Sequence, residues 1–138
     1  SDQLTAFGDM HEHAGFHAFQ SMVASLSFRP EYYNANRAKL LGSGGVWGAL
    51  EGRIPTHLRF IEACLGHDIR PHLSDIVAPT LVIHAGEDMI TGPRTTMPLE
   101  EGLPNSVGVS MDRVAHVVAG KEEKIIFGEI LFDFLNAH

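Results

Sequence analysis

Thr80-Leu81-Val82-Ile83-His84-Ala85 constrains this chain more than any other stretch. It is a short apolar run rich in β-branched residues, bounded by Pro79 and Gly86. Successive side chains of a strand point to opposite faces. Three consecutive apolar residues, Leu81, Val82 and Ile83, therefore make both faces apolar, as in a fully buried strand of a parallel sheet. Gly86-Glu87-Asp88 forms the exit turn. Arg94 to Gly102 follows as a weak helix, interrupted by Pro98. Ser106 to Met111 alternates as a second strand. Lys121 to Ala137 is the clearest helix, with Ile125, Ile126, Ile130, Leu131, Phe134 and Leu135 as its apolar face and Glu122, Glu123 and Lys124 in its first turn. Strand, helix, strand, helix implies two parallel strands joined by a crossover, an α/β architecture.

The composition changes near Asp68, which divides the chain into residues 1–67 and 68–138. The first part reads as helices and turns. Met10 to Leu26 carries Ala14, Phe16, Ala18, Phe19, Met22, Val23 and Leu26, several at three- or four-residue spacing, so a helix is expected. Phe28-Arg29-Pro30 breaks it, and Pro30 suits the first turn of a second helix running from Glu31 to about Leu41. Gly42 to Gly45 ends that helix, because glycine tolerates the left-handed conformation at a helix C-terminus. Pro55 opens a third helix that reaches Leu65 and stops at Gly66.

Charge and composition remove several function classes. Lys and Arg number 10 against 17 Asp and Glu, a formal net charge of −7. That argues against nucleic acid as a partner, since phosphate binding rests on Lys and Arg. No apolar run approaches the roughly 18 residues needed to span a bilayer. With 44% apolar and 20% charged residues, the chain has the composition of a globular domain. One cysteine, Cys64, supports neither an intrachain disulfide nor a cysteine-based zinc site. The chain opens Ser-Asp-Gln, without an initiator methionine, a basic leader or an apolar signal segment. It reads as a processed, fragmentary or trimmed chain, with a cytoplasmic location as the expectation.

Leu73-Ser74-Asp75-Ile76-Val77-Ala78-Pro79-Thr80-Leu81-Val82-Ile83-His84-Ala85-Gly86-Glu87-Asp88-Met89-Ile90-Thr91-Gly92-Pro93 resembles the "L-x-x-I-x-x-P-T-L-V-I-x-x-G-x-x-D-x-x-x-x-P" segment of the α/β-hydrolase family. Leu103-Pro104-Asn105-Ser106 resembles the "L-P-x-A/S" lead-in to that family's last strand. Ala115-His116 falls where the family carries its catalytic histidine, and Phe127 to Leu135 resembles its closing helix. The match covers residues 68–137. The resemblance implies that Asp88 is the acid of a catalytic triad and His116 its base. A carboxylate in the turn after a buried strand can accept the Nδ1–H of an imidazole, fix its tautomer and stabilise the imidazolium. Glu87 is an alternative acid, but the family pattern selects Asp88.

The nucleophile is where the chain departs from the family. A hydrolase of this kind needs a G-x-S-x-G elbow between a strand and a helix. Ser43 has Gly45 two residues after it but Leu41 two before. Ser110 has Gly108 two before but Asp112 two after. Ser106 has Gly108 two after but Pro104 two before, Ser1, Ser21, Ser25, Ser27 and Ser74 lack both flanks, and Cys64 has Gly66 after it but Glu62 before. In the family's order of nucleophile, acid and base, the nucleophile and oxyanion hole are expected upstream of residue 1. Residues 1–67 then resemble the family's helical lid, most closely in lactonase- and esterase-type members. The expected fold is a partial α/β-hydrolase, a helical lid followed by the C-terminal strand–helix–strand–helix. The implied function is part of a serine hydrolase acting on a small-molecule ester, lactone or related acyl substrate. No cofactor or metal is required. The chain alone is expected to be inactive, and to self-associate or pair with the missing N-terminal half, since two strands leave an apolar sheet edge open. The alternative is a non-catalytic association module derived from the same fold.

Other features have bland and sharp readings. Phe16, Phe19, Met22 and Val23 either line an acyl pocket or pack lid helices together. Trp47, among glycines, is either a mobile lid tip or a buried anchor. His13 and His17 share a helix face and invite a zinc reading, but His11 lies off that face, and a solvated face is the expectation in a chain with 9 histidines. The Gly42–Gly45 run is no phosphate loop, since no Gly-Lys-Ser/Thr follows it.

Overall fold

The structure is a computed structural model that describes residues 2–138. Two compact units divide the chain. One comprises the chain up to Leu26 together with Pro30–His67, and the other comprises Ser27–Arg29 with Asp68–His138.

The first unit is helical. Helix α1 spans Asp2–Asp9 and runs into a π-helical turn at Met10–Ala14. Gly15, at φ 86°, interrupts the path before α2, Phe16–Ser27, begins. The spacing of Ala14, Phe16 and Ala18 suggested one helix from Met10 to Leu26. Instead a positive φ, which glycine alone adopts without strain, splits it. Helix α3, Pro30–Leu40, starts on its proline, and α4, Ile54–Gly66, has Pro55 in its first turn. Both begin where a missing N–H costs nothing. Between α3 and α4, the buried Gln20 side chain holds the glycine-rich segment. Its amide donates to the Gly42 and Val46 carbonyls, and its oxygen accepts from the Gly42 N–H. Helices α1 and α4 pack closely at Gly8, where a β-carbon would strike the Ile61 side chain. An aromatic cluster of Phe7, His11, Phe16, Phe19 and His57 fills the interior beside that contact.

The second unit is α/β. A 3₁₀ segment at Arg70–Asp75 leads into β1, Thr80–Ala85. Helix α5, Pro93–Gly102, crosses over to β2, Ser106–Met111, and α6, Lys121–Ala137, closes the unit. The strands pair in parallel from Thr80 with Ser106 to Ala85 with Met111. Helix α5 covers one face of β1, where Val82 and His84 are buried. His84 satisfies both ring nitrogens there, Nδ1 with the Thr96 hydroxyl and Nε2 with a Glu100 carboxylate oxygen, each at 2.7 Å.

The other face departs from the expectation of full burial. Leu81 and Ile83 are only half-buried. Leu81, Val107 and Val109 line an open gap of about 310 Å³ with Ile130 and Phe134 of α6. No residue of α6 is buried, and Ile125, Ile126, Phe132 and Leu135 are exposed. The apolar pattern is written for more cover than a two-stranded sheet supplies. No helix among the described residues is long and apolar enough to cross a membrane.

Candidate functional site

The parallel register brings the C-terminal ends of β1 and β2 side by side. The turn after β1 and the loop after β2 are stitched together by backbone bonds. Gly86 N–H donates to the Met111 carbonyl, and Glu87 N–H donates to the Val114 carbonyl. Val114 and Ala115 are buried, and Val117 N–H donates to the Ser27 carbonyl, so His116 sits on an anchored segment. Arg29 adds an ionic tie, its guanidinium lying 3.3 Å from Glu87 and 3.2 Å from Glu123.

Asp88 opens a tight turn typical of aspartate, whose side chain accepts from backbone N–H groups two and three residues on. Its Oδ1 accepts from Ile90 N–H at 2.7 Å and Thr91 N–H at 2.9 Å. Gly92 closes the turn, because a β-carbon there would run into the Asp88 carbonyl oxygen. With Oδ1 occupied, Oδ2 faces the imidazole of His116, 3.1 Å from its Nδ1. The Asp88 side chain is 6% exposed and that of His116 33%. Burial is the largest influence on the Asp88 carboxyl and opposes ionisation. The two backbone N–H groups and the hydrogen bond and charge of His116 outweigh it and hold the carboxyl below its usual value. An ionised carboxylate only accepts, which favours the proton on Nδ1 and leaves Nε2 its lone pair. A partly exposed imidazole with a free Nε2 and a buried carboxylate behind it can take a proton from an acid presented to it.

Thr91 belongs to this group, and no motif pointed to it. Its hydroxyl lies 3.1 Å from Asp88 Oδ2 and 3.2 Å from His116 Nδ1. The available signal was a hydroxyl residue three positions after an aspartate in a turn.

The apolar candidates lie in the first unit. Phe19 is 2% exposed and packed against His11, Phe7, Phe16 and His57, while Phe16 is half-buried at 6.3 Å from the Phe19 ring. Met22 is 45% exposed. Trp47 is half-buried with a left-handed backbone, φ 54°. His11 turns inward to the His57 ring, Nδ1 to Nδ1 at 2.9 Å, whereas His13 and His17 are exposed. Among the described residues no three His, Cys, Asp or Glu side chains gather as metal ligands.

No protein-family model matches the chain, and no curated protein matches it. Solved structures do. One is an α/β-hydrolase enzyme from a Medee basin deep-sea metagenome library, with TM-score 0.79 and 20% identity over 98% of this chain and 50% of that one. An enol-lactonase from Burkholderia xenovorans gives 0.77 and 20% over the same shares. An esterase from Exiguobacterium antarcticum gives 0.73 and 16%, over 98% of this chain and 48% of that one. The chain spans about half the length of the structures it matches. Its helices and small parallel sheet have the fold of half an α/β-hydrolase.

Proposed function

We propose that this chain is the acid–base half of a serine α/β-hydrolase acting on an ester, a lactone or a related acyl compound. The observation that carries the reading is the His116–Asp88 hydrogen bond at the adjoining ends of two parallel strands, where open α/β sheets bind their ligands. In this mechanism His116 Nε2 takes the proton of a serine hydroxyl as the oxygen attacks the acyl carbon. His116 then returns that proton to the leaving group. It next activates water to cleave the acyl-enzyme, while Asp88 steadies the imidazolium. Residues 1–67 act as the lid that excludes water, with Phe16, Met22 and Trp47 as candidate substrate contacts and Phe19 packing the lid's own interior.

The 138 residues contain no G-x-S-x-G, so serine and oxyanion hole come from another segment. The coverage of half of each matched hydrolase supports that division. The same segment is the natural partner for the open sheet edge and for the under-covered apolar face of α6. The decisive test starts with the coding sequence upstream of Ser1. A G-x-S-x-G following a strand pattern is expected there. The 138-residue chain should hydrolyse p-nitrophenyl acetate no faster than a protein with a matched surface histidine. Burst kinetics from the chain alone, abolished by His116→Ala, would overturn the division of labour.

A second reading, a non-catalytic association module, is favoured by one observation, the exposure of Ile125, Ile126, Phe132 and Leu135 on α6. It differs in expecting no elbow upstream.

A further inference from the structure

We propose that Thr91 is a positioning residue of the Asp88–His116 pair, its hydroxyl fixing the histidine in the tautomer that leaves Nε2 free. The inference rests on the catalytic reading given above. Three atoms form a nearly equilateral triangle. Thr91 Oγ1 is 3.1 Å from Asp88 Oδ2, His116 Nδ1 is 3.1 Å from the same oxygen, and Oγ1 is 3.2 Å from Nδ1. Two hydrogens can lie inside it, one on the hydroxyl and one on Nδ1.

Asp88 Oδ1 is already filled by the N–H groups of Ile90 and Thr91. Its charge is therefore met at Oδ2, and the hydroxyl proton points there, since a bond to a carboxylate is about twice as strong as one between neutral groups. The hydroxyl oxygen then turns its lone pairs toward Nδ1. Both groups facing Nδ1 are now acceptors. A bare Nδ1 would set its own lone pair against two others, so the proton must sit on Nδ1. Asp88 alone imposes this only weakly. Its 3.1 Å separation from Nδ1 exceeds the 2.7–2.9 Å usual for a charge-assisted N–H bond, and the His116 side chain is one-third exposed, free to meet water on its other edge. The second acceptor makes the preference firm. The Thr91 backbone contributes separately through its N–H, so removing the hydroxyl leaves the turn intact.

The test is the ¹⁵N NMR spectrum of the His116 ring in the 138-residue chain, at pH values where the imidazole is neutral, for wild type, Thr91→Val, Thr91→Ser and Asp88→Asn. Thr91 is exposed, so neither of its substitutions disturbs a core. Wild type and Thr91→Ser should show Nδ1–H as the sole tautomer. Thr91→Val should show a mixture with Nε2–H, and Asp88→Asn a shift to Nε2–H. A Thr91→Val spectrum identical to wild type, with Asp88→Asn shifted, overturns the role of Thr91 and leaves the acid–base pair standing. An Asp88→Asn spectrum identical to wild type removes the pair itself and the catalytic reading with it.

Discussion

Asp88 concentrates the chemistry of the second unit, because its two oxygens are divided between different tasks. Oδ1 is spent on the turn that places it, and Oδ2 is left for the imidazole. This division ties pH to stability. The folded carboxyl titrates below its ordinary value of 3.8. The unfolded chain therefore takes up the proton first as pH falls. Asp88 stabilises the fold fully above the unfolded value, and that contribution is lost as pH drops through the folded one. Urea denaturation of wild type and Asp88→Asn should differ most near pH about 6 and converge toward pH about 3, below the ordinary carboxylate range. A constant difference across that range would contradict it. The pairing of Asp88 with His116, 3.1 Å apart, was legible in the sequence because a motif fixes the place of both relative to a strand. Thr91 was not, because its role depends on a hydroxyl pointing across a turn at a residue 25 positions away.

At the level of elements, the strands and the helices after Asp68 were legible from periodicity and from their proline and glycine boundaries. The N-terminal helices were read less well. Gly15 sits inside an apolar spacing that continues through it, and nothing local marks the π-helical turn at Met10–Ala14. That turn aims His11 into the interior, where it meets a residue 46 positions away on α4. One ring donates its Nδ1–H to the bare Nδ1 of the other at 2.9 Å, a bond that is lost when the accepting nitrogen is itself protonated. Burial lowers the His57 pKa from 6.5, and the charge of His11 lowers it further. The folded state thus binds fewer protons than the unfolded one. The stability this pair contributes is present above 6.5 and is lost as pH falls through the lowered value. His57→Gln keeps an amide donor for His11 without a titrating ring. Between pH about 8 and about 5, the histidine range, the urea midpoint of the wild type should fall further than that of His57→Gln. Parallel declines would show that the pair does not titrate with unfolding.

For the whole molecule, the mismatch between apolar pattern and available cover governs behaviour. Leu81, Val82 and Ile83 were read as buried on both sides, yet the face toward α6 is only half covered and no residue of α6 is fully buried. The strand's own pattern does not record that shortfall, since it reflects the sheet it suits; the presence of only two strands after Asp68 does, and it carried the expectation of an open apolar edge. An open edge and exposed apolar residues draw other chains together. Light scattering of the chain alone at low micromolar concentration should report dimers or larger species, burying at least about 1,200 Å² in each contact. A strictly monomeric, cooperatively folding species would mean that these residues cover themselves and need no partner. The net charge of −7 opposes association, so raising the salt concentration should strengthen it. The proposed role of His116 as the base of a serine hydrolase is read from kcat/KM for p-nitrophenyl acetate in the product of the upstream-extended coding sequence. His116→Ala is expected to lower it by at least about a thousandfold, as loss of a triad member does. Turnover unchanged by His116→Ala would contradict that role.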